Sequence, residues 1–339
     1  MNVTIKDVAK KAGVSVATVS KALNEKIHVS KKTKDKVNRI AQELGYYPSA
    51  FGRGLVLQRT GNIGFILDRR PVHLFSNPFY SRVLDGIEDE LVKQDFNLLI
   101  SAHTFSENNS DSYPKFVREK NVDGLILTGK LDTSLILEIH KRNIPLVLID
   151  NYIKEKQFDC VVTDNEHGST QAVHYLIEQG HRRIGFLKGL GKHISVLERW
   201  NGYKRILKEN NIPIVEEWIA EGDVTPEGGK SAILQILSKA QTLPTAFFST
   251  NDAMAIGAMR TLREHGIQIP EQVSIVGFDN EETTAHMDPP LTTVSVEKEE
   301  MGKVGTQLLI ARIQNPKKPC QRVMLPTRLV IRKSVKQIS

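Results

Sequence analysis

The chain has 339 residues, 40% apolar and 25% charged, and a formal net charge of +7. That length exceeds what a single hydrophobic core serves and fits a small unit joined to a larger body of two lobes. The start MNVTIKD has no signal-peptide core and no run reaches the roughly 18 apolar residues of a membrane span, so a cytoplasmic protein is expected. Cys160 and Cys320 lie far apart with no C-x-x-C spacing, which points to neither a disulfide nor a zinc site.

The first predicted elements are two short helices joined by a glycine turn, in TIKDVAKKAGVSVATVSKAL. Thr4 is placed to cap a helix whose apolar residues Ile5, Val8, Ala9 and Ala12 recur three and four apart. Gly13 ends it, since glycine takes positive φ without steric cost. Ser15 offers a second cap, and Val16, Ala17, Val19, Ala22 and Leu23 alternate with Thr18, Ser20 and Lys21 as in a short amphipathic helix. Ser30 caps a third helix with Val37, Ile40, Ala41 and Leu44 on its inner face and Gly45 as its stop.

Periodicity alone also fits an ordinary three-helix packing unit, and charge separates the two readings. Residues 1–60 hold nine Lys and three Arg against two Asp and two Glu, a net +8, while the remainder nets −1. A basic head on a near-neutral body is the footprint of a protein that neutralises phosphates through one end. A membrane surface would call for a Trp or Phe stripe, and these helices have none. The segment therefore reads as a helix-turn-helix that grips DNA.

From Asn62 onward, apolar runs (NIGFIL, FNLLIS, DGLILTG, PLVLIDN, RIGFLKG, TAFFST, VSIVGF) alternate with helical stretches beginning with PFYSRVLDGIEDELVKQ and continuing at 166–179, 199–210, 226–239 and 252–265. Such an alternation predicts an α/β body with parallel sheets covered on both faces. Ligands in such folds lie beyond the carboxyl ends of the strands, where the sequence places Asp150, Lys188, Asn251, Asp252 and Asp279.

The motifs of α/β enzymes fail here. GFLKGLGK has five residues between the outer glycines where a phosphate loop needs four, and His193 stands where Ser or Thr is required. Gly189 and Gly191 begin a G-x-G, but Ile194 occupies the third glycine position. Neither G-x-S-x-G nor H-E-x-x-H occurs. His181 in GHRRIGF reads as a turn residue. No catalytic residue, metal or cofactor is expected, and the protein is not read as an enzyme.

Taken together, TIKDVAKKAGVSVATVSKALN, YYPSAFGRGL, NPFYSRVLDGIE, VDGLIL, GHRRIGF, STNDAMAIGAM and VSIVGFDN followed by PPLTTVS resemble the lactose-repressor (LacI) family of bacterial transcription regulators over essentially the full chain. The resemblance implies a helix-turn-helix head (1–46), a hinge (47–60) and a periplasmic-binding-protein-like body (61–339). Its lobes would be 61–162 with 292–322 and 163–291 with 323–339, the chain crossing between them near 162, 291 and 323. It further implies a homodimer on a palindromic operator, acting as a repressor of carbohydrate use under a sugar-like effector held between the lobes.

In family terms the second helix enters the major groove. Val16 and Ala17 suit a thymine methyl, and Lys21 suits guanine O6 or N7. Thr4, Ser15, Thr18, Ser20, Asn24, His28, Ser30 and Thr33 suit phosphates, with simple helix capping open as a second role for Ser15 and Ser30. Pro48 to Leu57 resembles the hinge helix that wedges a leucine, here Leu55, into the minor groove beside Arg53. Ser49, Gly52 and Gly54 depart from the usual pattern, and each interior glycine costs about 1 kcal/mol of helix. The hinge is thus expected to fold only with dimer and duplex; fast amide exchange there in free protein, slowed on operator, is the expected result, and protection without DNA would contradict it.

For the effector the resemblance implies Phe79, Ser195, Arg199, Asn251 and Asp279, then Asp150, Asp164, Tyr80 and His193. Carboxylate, amide and guanidinium groups fork onto vicinal hydroxyls, and an aromatic face covers a sugar ring. A pentose, hexose or uronate is favoured over a purine, with a protein corepressor as the alternative; Val224 stands where many family members carry a stacking aromatic, so stacking from that lobe is not expected. Asp279 has turn capping as its alternative. A solute-binding protein would share the body but not the basic head, and the absence of a leucine heptad after IRKSVKQIS favours a dimer over a tetramer.

Overall fold

The computed structural model describes residues 3–23, 29–46, 59–68, 77–103, 113–129, 131–154, 156–191 and 193–338. They divide into two compact units, Met1–Asn62 with Asn121–Asp123, and Ile63–Lys120 with Gly124–Ser339.

The first unit holds α1 (Ile5–Ala12), α2 (Val16–Leu23) and α3 (Lys31–Leu44). Each boundary has a local cause. The Asp7 carboxylate accepts from the Thr4 amide (2.9 Å) and hydroxyl (2.7 Å), closing the start of α1. Ser15 Oγ accepts from Thr18 N at 3.1 Å and Ser30 Oγ from Thr33 N at 3.3 Å. Gly13 and Gly45 take φ of +66° and +64° and terminate α1 and α3. Val8, Ala12, Val19, Ala22, Val37 and Ile40 form the core of this unit.

The second unit is built on two parallel sheets. The larger has the order β11-β5-β4-β3-β1-β2, with β1 Asn62–Asp68, β2 Asn97–His103, β3 Gly124–Thr128, β4 Leu146–Ile149, β5 Asp159–Thr163 and β11 Arg322–Leu325. The smaller has the order β7-β6-β8-β9, with β6 Ile184–Gly189, β7 Ile219–Gly222, β8 Ala246–Ser249 and β9 Ser274–Val276. β3 and β4 are buried along their whole length, as strands covered on both faces must be. β10 (Thr293–Val296) and β12 (Thr327–Val330) pair antiparallel in a separate ribbon.

Helices α4 (Pro78–Lys93), α5 (Lys115–Arg118), α6 (Thr133–Lys141) and α11 (Lys298–Gln314) belong to the larger sheet's part of the chain; α7 (Asn165–Glu178), α8 (Ile194–Glu209), α9 (Pro226–Lys239) and α10 (Asp252–Glu264) alternate with the strands of the smaller. α4 and α11 touch backbone to backbone: a Cβ on Gly86 would overlap the Glu299 carbonyl, and one on Gly302 the Val83 carbonyl. Only glycine permits that approach.

Two boundaries lie beside the positions the sequence suggests. β11 stays paired with β5 through Leu325 against Thr163, so the chain leaves this sheet two residues beyond the crossing implied near 323. α8 begins at Ile194 rather than 199. α11 carries no amphipathic stripe because Met301, Gly302, Gly305, Thr306, Leu308, Leu309 and Ile310 are buried around much of its circumference. His181 is buried and hydrogen-bonded through Nδ1 to Thr245 Oγ1 at 2.9 Å, a structural role in its turn.

Candidate functional site

On α2, Val19 and Ala22 turn into the core, while Val16, Ala17 and Lys21 are exposed. Val16 is 41% exposed, an aliphatic side chain that packing does not require there. Thr4, Ser15 and Ser30 are exposed around it and Thr18, Ser20 and Thr33 half-buried. Ser15 and Ser30 both cap helices, which leaves neighbouring amides directed at an incoming anion. Asn24, His28, Arg53 and Leu55 lie outside the described residues.

In the second unit a cavity of about 510 Å3 opens at the carboxyl ends of both sheets. Asp150 follows β4, Asp223 and Val224 follow β7, Thr250 and Asn251 follow β8, and Asp279 follows β9; Phe79 and Tyr80 enter from the first turn of α4, Ser195 and Arg199 from the first turns of α8. Asn77 caps α4 by accepting from Tyr80 N at 3.1 Å, which fixes where the two rings sit, 5.1 Å apart and edge to face.

Arg199 is the centre of the arrangement. It is 5% exposed, and every nitrogen of its guanidinium is engaged: Nε donates to Asn165 Oδ1 (2.9 Å), Nη1 to the Thr250 carbonyl (2.6 Å), and Nη2 contacts Asp279 Oδ1 at 3.1 Å. Its planar head lies over the Phe278 ring, 3.7 Å from ring centre to Cζ. So held, it presents one fixed positive field to a wall that also carries Asp132, Asp150, Asp223 and Asp279.

Burial dominates the titration of this wall. It raises the Asp150 carboxyl to about 7 against the opposing pull of Arg199, with Asp279 adding repulsion. It raises Asp279 as well, opposed by Arg199 and Lys298, and pushes the Tyr80 phenol well up. His193 hydrogen-bonds Ser195 Oγ through Nδ1 at 2.6 Å and sets Nε2 3.9 Å from Asp150. Thr250 Oγ1 is buried and makes no hydrogen bond among the described residues.

The backbone is strained where the wall is made. Asp150, Val224 and Asp279 have φ of +56°, +62° and +108°, and a β-branched residue seldom accepts the left-handed region. Asn251 holds Val224 there, donating from Nδ2 to its carbonyl at 2.9 Å while Oδ1 accepts from Met254 N at 3.0 Å.

Of the effector residues read from the sequence, the cavity brings together Phe79, Tyr80, Asp150, His193, Ser195, Arg199, Asn251 and Asp279. Asp164 is not among its lining: its carboxylate caps α7 by accepting from His167 N at 3.1 Å, beside a separate depression with Asn165, Glu166 and Glu198. Lys188 pairs with Glu221 at 2.5 Å, and Asp252 is fully buried, accepting from the Thr293 hydroxyl and the Glu281 amide. Asn77, Asp132, Asp223 and Thr250 were not anticipated. The signal for Thr250 was its place directly after TAFFS; Asp223 follows a strand too short to read.

Comparison with known proteins gives the architecture its relatives. Residues 4–49 match the model of bacterial regulatory proteins of the lacI family, and residues 173–335 that of a periplasmic binding protein-like domain. The HTH-type transcriptional repressor PurR of Vibrio vulnificus is 36% identical over 339 residues, covering 99% of both chains. The ribose operon repressor of Haemophilus influenzae is 33% identical, covering 98% of both. Among solved structures, the lac repressor dimer bound to operator and the anti-inducer ONPF aligns with a TM-score of 0.84 at 28% identity, over 99% of this chain and 100% of that one.

Proposed function

Because this chain belongs to the lacI family of bacterial regulatory proteins, we propose that it is a DNA-binding transcriptional repressor that docks as a homodimer on a palindromic operator and answers to a neutral sugar held in the cavity of its body. α2 reads the major groove through Val16, Ala17 and Lys21, and the short polar side chains at helix starts fix it on phosphates. Arg53 and Leu55 are assigned to the minor groove on the family resemblance. The protein acts in the cytoplasm; among the described residues no helix is long and apolar enough to cross a membrane.

The observation that carries the effector reading is the ratio of charges in the cavity. Its described wall has four carboxylates and one guanidinium, and the guanidinium is already shared among Asn165, Thr250 and Asp279. Carboxylates paired with one fixed cation accept hydrogen bonds from vicinal hydroxyls and repel an anion, which places a neutral pentose or hexose ahead of a uronate. Val224 offers no ring on its side of the cavity, so a purine could stack only against Phe79 or Tyr80 and not between two aromatic faces. Calorimetric titration of the full chain with ribose, glucose, glucuronate and hypoxanthine tests this: heat from a neutral sugar alone is expected, and tight binding of hypoxanthine or glucuronate would overturn it.

The pH dependence has a defined sign. Asp150 titrates near 7 in the folded chain against 3.8 for the free group, so its neutral form is favoured; that contribution to stability is present below pH 3.8 and is lost as pH rises through 7. A sugar hydroxyl donating to the carboxylate selects the ionised form. Sugar affinity is therefore expected to rise about tenfold from pH 6 to pH 8, following the ionised fraction of a group titrating at 7. Calorimetry at the two pH values reads it, and a flat profile would place the sugar away from Asp150.

A sugar moves operator affinity only through its different affinities for two arrangements of the body. The strained residues of the cavity, at strand ends on both sheets, are where those arrangements meet the ligand.

A further inference from the structure

Cys160 and Cys320 are the only cysteines of the chain, and the fold brings them to one depression at the edge of the larger sheet, lined also by Tyr152, Phe158 and Arg322. Both thiols are free; Cys160 is buried and Cys320 exposed. In the β5–β11 register Arg322 stands opposite Cys160, and the Cys160 amide donates to the Gln321 carbonyl at 2.9 Å. Cys320 precedes Arg322 by two residues, the spacing that returns a side chain to the same face of a strand. Arg312 Nη2 lies 3.5 Å from Cys320 Sγ and is anchored in turn by Asp159, which accepts from Arg312 Nε at 2.8 Å and from the Gln321 amide at 2.8 Å.

We propose that Cys160 and Cys320 are a redox-sensitive pair that closes into an intramolecular disulfide when the protein meets a hydroperoxide. Exposure makes Cys320 the first to react. Its thiolate attacks one peroxide oxygen; the S–O bond forms as the O–O bond breaks, and the departing oxygen takes a proton and leaves as an alcohol, or as water from hydrogen peroxide. The Cys160 sulfur then attacks the resulting sulfenic acid. The S–S bond forms, the S–O bond breaks, and hydroxide leaves as water with the Cys160 proton. Two electrons pass from the two thiols to the peroxide.

Burial pushes the Cys160 thiol up, which suits the second, resolving partner rather than the first. Extended-strand spacings put the two Cα atoms roughly 8 Å apart, so the bridge needs the Cys320 end to move in by about 1–2 Å. Pro316, Lys317, Pro319 and Cys320 are exposed, so a shift of that end displaces no core side chain; it must loosen the Arg312 hydrogen bonds to the Pro316 and Lys318 carbonyls. Cys160 is the second residue of β5 and Cys320 precedes β11, so the bridge lies at the amino ends of these parallel strands, opposite the carboxyl ends where the chain leaves the sheet.

The test is a titration of the reduced full chain with hydrogen peroxide, with thiols counted and peptides mapped by mass without reductant. Both thiols are expected to disappear together, giving a linked peptide pair lighter by two hydrogens and restored by dithiothreitol. Cys160→Ser is expected to trap a sulfenic acid on Cys320 that dimedone labels, and Cys320→Ser to leave Cys160 reduced. Conversion of Cys320 to sulfinic or sulfonic acid while Cys160 stays reduced in the unmodified chain would overturn the pairing, as would a Cys320 to Cys320 link between two copies; both are read without any variant.

Discussion

Arg199→Met is expected to abolish the response to sugar and to lower the stability of the body by about 3 kcal/mol, the low end of what removing one partner of a buried ion pair costs. The substitution leaves Asn165 Oδ1, the Thr250 carbonyl and Asp279 without the donors that satisfy them, in a place 5% exposed. Asp279, already raised by burial, loses its main opposing charge and turns neutral, which limits the loss and also removes the carboxylate from the ligand wall. Arg199→Lys keeps a charge but not the three-way fork, so it is expected to recover part of the stability and little of the binding. Urea unfolding and calorimetry measure the two effects. The head should retain operator, giving a repressor that no sugar moves; a variant that still binds sugar within threefold of the original would remove Arg199 from the site.

Gly302→Val is expected to destabilise the body by about 3 kcal/mol, at the upper end of what overpacking usually costs. The obstacle is backbone: a Cβ at residue 302 meets the Val83 carbonyl, and the matching contact of Gly86 with the Glu299 carbonyl leaves α4 and α11 no way to slide past each other. Separating the helices would expose Val83, Ile87, Met301 and Leu309, which pack in the core they share with both sheets. Gly13 offers the contrast, since a Cβ there meets nothing within 4 Å and only its φ of +66° opposes substitution. Denaturant midpoints of Gly302→Val and Gly302→Ala give the measurement, and a midpoint unchanged in both would show that the helices are not closely apposed.

The head was legible because its determinants are local. Ser15 reaches Thr18 and Ser30 reaches Thr33, three residues on, and Gly13 and Gly45 act at their own positions. The central strands were legible because a strand buried on both faces is an unbroken apolar run, as in GLILT of β3. β5 was not, since Asp159 and Cys160 interrupt the pattern; that Asp is buried because Arg312, distant in sequence, pairs with it at 2.8 Å. α11 escaped because the fold surrounds it.

The cavity was half legible. The rule that ligands lie beyond strand ends picked out Asp150, Asn251 and Asp279, but it treated Lys188 and Asp252 alike, and only tertiary partners distinguish them: Glu221 takes up the lysine, and Thr293 with the Glu281 amide takes up the aspartate. Asn251 shows the limit. Its type and place suit a sugar contact, yet both ends of its amide are used inside the protein, and the carbonyl it steadies belongs to Val224, 27 residues earlier. Asp164, of the same residue type as Asp150 and Asp279, stands outside the cavity lining and caps α7.

The measurement that bears most directly on the whole account is the fluorescence anisotropy of a labelled palindromic duplex with the full chain, at two salt concentrations, with and without a neutral sugar identified by calorimetry. Sequence-selective binding that weakens steeply with salt and shifts at least tenfold on adding the sugar is the expected result, with no shift for Arg199→Met. Equal retention of scrambled duplex, or an affinity the sugar leaves unmoved in the unmodified protein, would contradict it.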